Sequence, residues 1–75
     1  MRRPKKNTPK WHTIQNIIKV VEEHGYYEEP TNETIDLFQG FADTNTDRID
    51  LFKEFGLKLT QKGSNYIFEA IVKDL

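Results

Sequence analysis

The chain has 75 residues, no cysteine, 31% charged residues and a formal net charge of −1 at pH 7. That length supports one small domain with a modest core, stapled by neither disulfides nor a thiolate zinc site. No apolar run reaches the roughly 18–20 residues of a membrane span, and no apolar segment follows the N-terminal charges as in a secretory signal, so a soluble, cytoplasmic protein is expected.

The net charge conceals an asymmetry. Five of the eleven basic residues, Arg2, Arg3, Lys5, Lys6 and Lys10, lie in the first ten positions with no acid between them. The remaining stretch holds six basic residues against all twelve acidic ones, so a +5 tail joins a body of about −6. Residues 1–7 lack apolar periodicity and are expected to form a disordered basic arm. Residues 8–75 are expected to form a single helical domain.

Thr8-Pro9 reads as a helix start, because the Thr hydroxyl can accept from a first-turn amide and Pro at the first helical position loses no hydrogen bond. Trp11, Ile14, Ile17, Ile18 and Val21 then fall on one helical stripe. Gly25 can take the left-handed conformation that ends helices, so the spacing predicts a helix over 9–24. Residues 26–30 form a connection. A second helix, capped by Thr31 or Asn32, places Ile35, Phe38, Phe41 and Ala42 on one face. Residues 43–46 carry turn and cap chemistry, and Thr44-x-x-Asp47 has capping-box spacing.

A third helix is expected over 47–55, with Ile49, Phe52 and Phe55 inward and Gly56 closing it. Leu57-Lys58-Leu59-Thr60 alternates with period two, as an extended segment does, and residues 61–64 turn the chain. The spacings 67/71 and 68/72 then predict a last helix through Ile67, Phe68, Ile71, Val72 and Leu75, capped by Ser64 or Asn65. A strand over 66–72 competes, since the stretch is rich in aromatic and β-branched residues. The architecture expected is mainly α: a compact bundle of about four short helices with a short extended segment near 57–60.

A helix, a short turn and a second helix give the outline of a helix-turn-helix, whose second helix would read a major groove. The following phrase, with Leu59, Thr60, Lys62 and Gly63 and then Tyr66, resembles the segment that closes winged-helix regulators of the MarR and PadR kind. In those proteins a strand ending in Leu-Thr-x-x-Gly leads out of the wing into a C-terminal helix. The resemblance covers about a quarter of the chain and implies a winged-helix-like DNA reader. Two features depart from it. No room exists between Phe55 and Leu57 for a full wing hairpin. The would-be reading helix also carries Asp47, Asp50 and Glu54 against Arg48 and Lys53, and phosphates repel such an element.

Other constellations carry less. Asp43, Asn45, Asp47 and Glu54 imitate the spacing of a calcium-binding EF-hand loop, but Arg48 stands where the sharp turn needs Gly, and Asp50 where an apolar residue belongs. His12 and His24, twelve residues apart, give no metal-ligand pattern. There is no nucleophile–His–acid context, no Gly-rich phosphate loop and no defensible carboxylate pair, so neither an enzyme nor any cofactor or metal is expected.

Two functions are expected. The first is a DNA-associated regulator of the size of phage, plasmid or prokaryotic accessory factors. Arg2, Arg3, Lys5, Lys6 and Lys10 would contact phosphates, and Asn45, Thr46, Arg48, Lys58 and Lys62 the groove and wing, with the last helix pairing two copies as a homodimer. The second is a protein-binding adaptor or inhibitor that docks an acidic face on a basic partner such as a nucleic-acid enzyme. That face would hold Glu22, Glu23, Glu28, Glu29, Asp43, Asp47 and Asp50, with Tyr26 and Tyr27 as aromatic anchors.

Overall fold

A computed structural model describes residues 1–72. The elements run α1 (Pro9–His24), β1 (Tyr27–Pro30), α2 (Thr31–Leu37), α3 (Asn45–Glu54), β2 (Leu57–Lys62) and β3 (Asn65–Ala70). The strands form one antiparallel sheet in the order β1-β3-β2. The expected bundle of about four helices therefore does not form. Three helices cover a three-stranded sheet, an α/β arrangement.

The overturned element is the last helix. Residues 65–70 form the central strand instead, with β1 on one side and β2 on the other. Tyr66 and Phe68 point into the core while Glu69 faces water, the alternation a one-sided sheet demands. The period-two run beginning at Leu57 needed a hydrogen-bonded neighbour, and β3 supplies it. Gly63, at the first of two loop positions with φ 59°, makes the type II′ geometry that suits a right-twisted hairpin. Of the residues placed on the supposed helical stripe, Val72 is 84% exposed; the expected end at Leu75 lies outside the described residues.

The first helix runs as expected. Thr8 caps it by accepting from Trp11 N, and Gly25, at φ 87°, ends it with its amide bonded to Val21 O. Ile14, Ile17 and Val21 are buried against the sheet. The connection after it contains β1, a four-residue edge strand ending in Pro30, which can end an edge because it has no N–H to offer a ladder.

The second helix is shorter than the spacing suggested. It stops at Leu37, and Phe38 to Phe41 are folded into turns with Phe41 N and Ala42 N both donating to Phe38 O. Its cap is Pro30 rather than Thr31 or Asn32. Ile35 faces outward, 38% exposed. In α3, Thr44 Oγ1 accepts from Asp47 N at 3.0 Å, the first half of the expected capping box. The inward stripe is Arg48, Leu51 and Phe52, not Ile49, which is 37% exposed. Arg48 takes the place that sequence periodicity gave to Ile49.

Phe38, Phe52 and Phe68 stack edge-to-face in sequence at 4.9 and 4.8 Å, with Tyr27 against Phe68 at 5.5 Å. This aromatic chain crosses from the α2–α3 turn through α3 to the middle of the sheet. Each contact adds about 0.5–1.5 kcal/mol to the area it buries, which matters in a domain that has no staples.

Candidate nucleic-acid interface

The N-terminal segment has no helix or strand, and its course is set by contacts with the body. Thr8 N donates to Lys5 O at 3.1 Å, closing a turn in which Asn7 sits at φ 69°. Asn accepts that left-handed position better than other side-chain-bearing residues. The Thr8 hydroxyl also donates to Lys5 O, at 2.6 Å. The turn sends residues 1–4 back across the start of α1. Pro4 is buried there, and Arg2 N donates to Phe41 O at 2.8 Å.

The outcome is a cationic groove. Arg2, Arg3, Lys5 and Lys10 line it together with Thr8, Pro9 and Phe41. The Arg2 guanidinium stands 5.2 Å from the Phe41 ring centroid and Lys10 Nζ 5.6 Å from that of Phe38. The first turn of α1 holds no acid, so the positive end of the helix dipole adds to the side-chain charge. Lys6 is exposed on the turn and is not part of the groove lining. Sequence reasoning found these cations but missed the groove's aromatic wall, because Phe41 reads as one more inward residue of a longer helix.

Arg3 reaches further. Its Nε donates to both carboxylate oxygens of Glu54, at 2.7 and 2.6 Å. The guanidinium holds the Glu54 carboxyl below its ordinary range, and the carboxylate raises the Arg3 pKa. Both side chains are well exposed, so the pair is a solvent-screened contact. It still places the arm beside the outer face of α3, where Met1 and Arg3 meet Asp50, Lys53 and Glu54.

The other expected contacts scatter. Asn45 and Thr46 are exposed at the N-terminus of α3, with Asn45 Oδ1 accepting from the Tyr66 hydroxyl. Arg48 is withdrawn from the surface, 5% exposed, with Nε donating to Tyr66 Oη at 3.1 Å and Nη1 to Ala42 O at 3.2 Å. A base edge or phosphate cannot reach it. Lys58 and Lys62 are exposed on β2, the edge strand of the hairpin. The hairpin turn docks on the body, since Thr31 N donates to Ser64 O at 2.9 Å.

The acidic set divides in the same way. Glu22, Glu23, Tyr26 and Glu28 are exposed and close together along the chain, with Asn65 Nδ2 donating to Glu28. Glu29 is buried and Tyr27 half-buried. Asp43 accepts from Gly40 N at 2.8 Å and so belongs to the turn, while Asp47 and Asp50 lie on α3. Among the described residues no group of three or more His, Cys, Asp or Glu is placed to hold a metal ion, and no helix is long and apolar enough to cross a membrane.

Comparison with protein-family models, with curated proteins and with solved structures finds no match for this chain.

Proposed function

We propose that this protein is a small nucleic-acid-associated regulator that grips the phosphate backbone with its N-terminal groove. The observation that carries this reading is the convergence of Arg2, Arg3, Lys5 and Lys10 in one groove at the acid-free start of α1. Four cations on one concave surface suit the dense negative charge of a nucleic-acid backbone. They also act without base-specific contacts, since phosphate binding positions a protein rather than reading sequence.

The layout around the groove supports the same reading. Two helices, α2 and α3, are followed directly by the β2–β3 hairpin, and that element order supports a winged-helix-like reading. The hairpin begins at Leu57 itself, so the missing space between Phe55 and Leu57 is no obstacle to it. In this reading Asn45 and Thr46 face the groove of a duplex, and Lys58 and Lys62 add charge from the hairpin. The acids of α3 keep that helix from deep insertion, and Arg3 offsets one of them. The arm therefore supplies most of the attraction.

A second reading rests on a separate observation. Glu22, Glu23, Tyr26 and Glu28 stand exposed around the α1–β1 junction, a composition that suits docking on a basic protein surface. An electrophoretic mobility shift with random-sequence duplex DNA separates the two. A shift at low salt that weakens as salt is raised supports the nucleic-acid reading. Absence of any shift, together with recovery of one basic protein by pull-down, supports the second.

A further inference from the structure

Glu29 has no part in the proposed phosphate grip, and its surroundings are unusual for a carboxylate. It is 9% exposed. Its two oxygens are held by neutral donors: Thr34 Oγ1 donates to Oε2 at 2.6 Å and the Tyr27 hydroxyl to Oε1 at 3.1 Å. Among the described residues the one ion pair is Arg3 with Glu54, so none of their cations balances Glu29. A buried carboxylate is costly unless it is paired or fully hydrogen-bonded, and two donors occupy about half of the roughly four sites it offers. Burial and the nearby charges of Glu29 and Glu33 raise the Tyr27 pKa, which reports the same negative field.

A cleft of about 240 Å³ opens beside this carboxylate, between α1, β1 and α2. Glu29 and Tyr27, with Thr13 and Asn16 of α1, form its polar lining, and Ile17, Val20 and Leu37 its apolar part. Thr34 is not among the lining residues and clamps the carboxylate from within the fold. The volume falls below the roughly 300–1,000 Å³ of sites for drug-sized ligands. It suits one side-chain-sized group with a charged head and a short aliphatic stem, and the charge must be positive.

We infer that this cleft receives an alkyl-ammonium or guanidinium group, with Glu29 as its counter-ion and Ile17, Val20 and Leu37 against its stem. The assignment is independent of the nucleic-acid reading. The same chemistry is offered by a free aliphatic amine and by a lysine or arginine side chain of a protein partner.

The test is a titration of the full chain, followed by amide NMR shifts, with n-butylammonium, with acetyl-Gly-Lys-Gly-amide and with n-butanol as the uncharged control. Shifts from butylammonium should cluster at Ile17, Val20, Tyr27 and Leu37, and butanol should give none. Glu29→Gln should weaken binding about tenfold or more, as loss of a charge-assisted hydrogen bond does. Val20→Trp, which fills the cleft and leaves the carboxylate in place, should abolish binding, and it decides the matter if the Gln variant does not fold. Binding of the amine and the peptide points to a side chain as the natural occupant, and binding of the amine alone to a free amine. Equal responses to butylammonium and butanol, shifts spread over the acidic surface, or binding that survives Val20→Trp would overturn the assignment.

Discussion

Arg3 and Arg48 are the same residue type and both act on α3, yet one stands in solvent and the other in the core. Arg3 makes an ion pair with Glu54 at the surface. Arg48 is buried against Tyr66 and the Ala42 carbonyl, with its guanidinium 5.8 Å from the Tyr66 ring centroid and without an acid in contact among the described residues. Water screens the first and leaves it free to exchange Glu54 for a phosphate. The second is locked by hydrogen bonds that tie the start of α3 to the central strand, and it can only stabilise. Accessibility, more than charge, separates the surface cation Arg3 from the buried brace Arg48.

The sharpest way to break this contrast is to remove the brace. Arg48→Ala removes the donor to the Tyr66 hydroxyl, which keeps its bond to Asn45, takes a donor from the Ala42 carbonyl and leaves a cavity. It should cost about 2–4 kcal/mol of stability, read from urea unfolding. Arg48→Met keeps much of the volume and should cost less. If either variant keeps wild-type stability while losing DNA binding, Arg48 is a binder after all.

The arm should respond in the opposite sense. Reversing Arg2, Lys5 and Lys10 to Glu should weaken duplex binding at low salt by about tenfold or more, with the urea midpoint almost unmoved. A smaller effect belongs to the α3 cap. Thr44→Ala should cost about 1 kcal/mol through loss of the bond to Asp47 N.

The smallest effect belongs to the Arg3–Glu54 pair. The folded-state pKa of Glu54 lies below its ordinary value. Its contribution is therefore present above the unfolded pKa and is lost as pH falls through the depressed folded one. A pH titration of the Glu54 carboxyl by NMR should move upward in Arg3→Ala, with unfolding little changed because the pair is exposed.

Much of this contrast was hidden in the sequence, for identifiable reasons. The first helix was legible because both of its ends carry strong stop chemistry, Thr8-Pro9 and Gly25, around an unbroken apolar stripe. The Thr44 cap was legible for the same reason, and the turn expected at 61–64 in part, since Gln61 and Lys62 continue β2 and only Gly63-Ser64 turn the chain. The strand at 65–70 was misread because 67/71 and 68/72 fit a helix, while its alternation becomes decisive only once partners exist on both sides. β1 escaped notice because two glutamates and a proline in four residues do not look like a strand; it needs only one buried position, and that is Glu29. Arg48 and Glu29 were placed on the surface by residue type, and tertiary packing overrode the type in both.

The basic cluster itself was plain from sequence, but its shape was not. The arm gains a defined course from a turn at Asn7 and a backbone bond to Phe41, neither of which has a periodic signature. That course gathers four scattered charges into one groove.

The central claim, that this groove grips nucleic-acid phosphates, is tested most directly by the salt dependence of binding. Fluorescence anisotropy of a labelled random duplex, titrated with the wild type over a range of salt concentrations, should give a log–log slope of about −3 to −4, one phosphate for each groove cation. The Arg2/Lys5/Lys10 reversal should flatten it. A wild-type slope near zero, or the same slope in the reversed variant, would contradict the account.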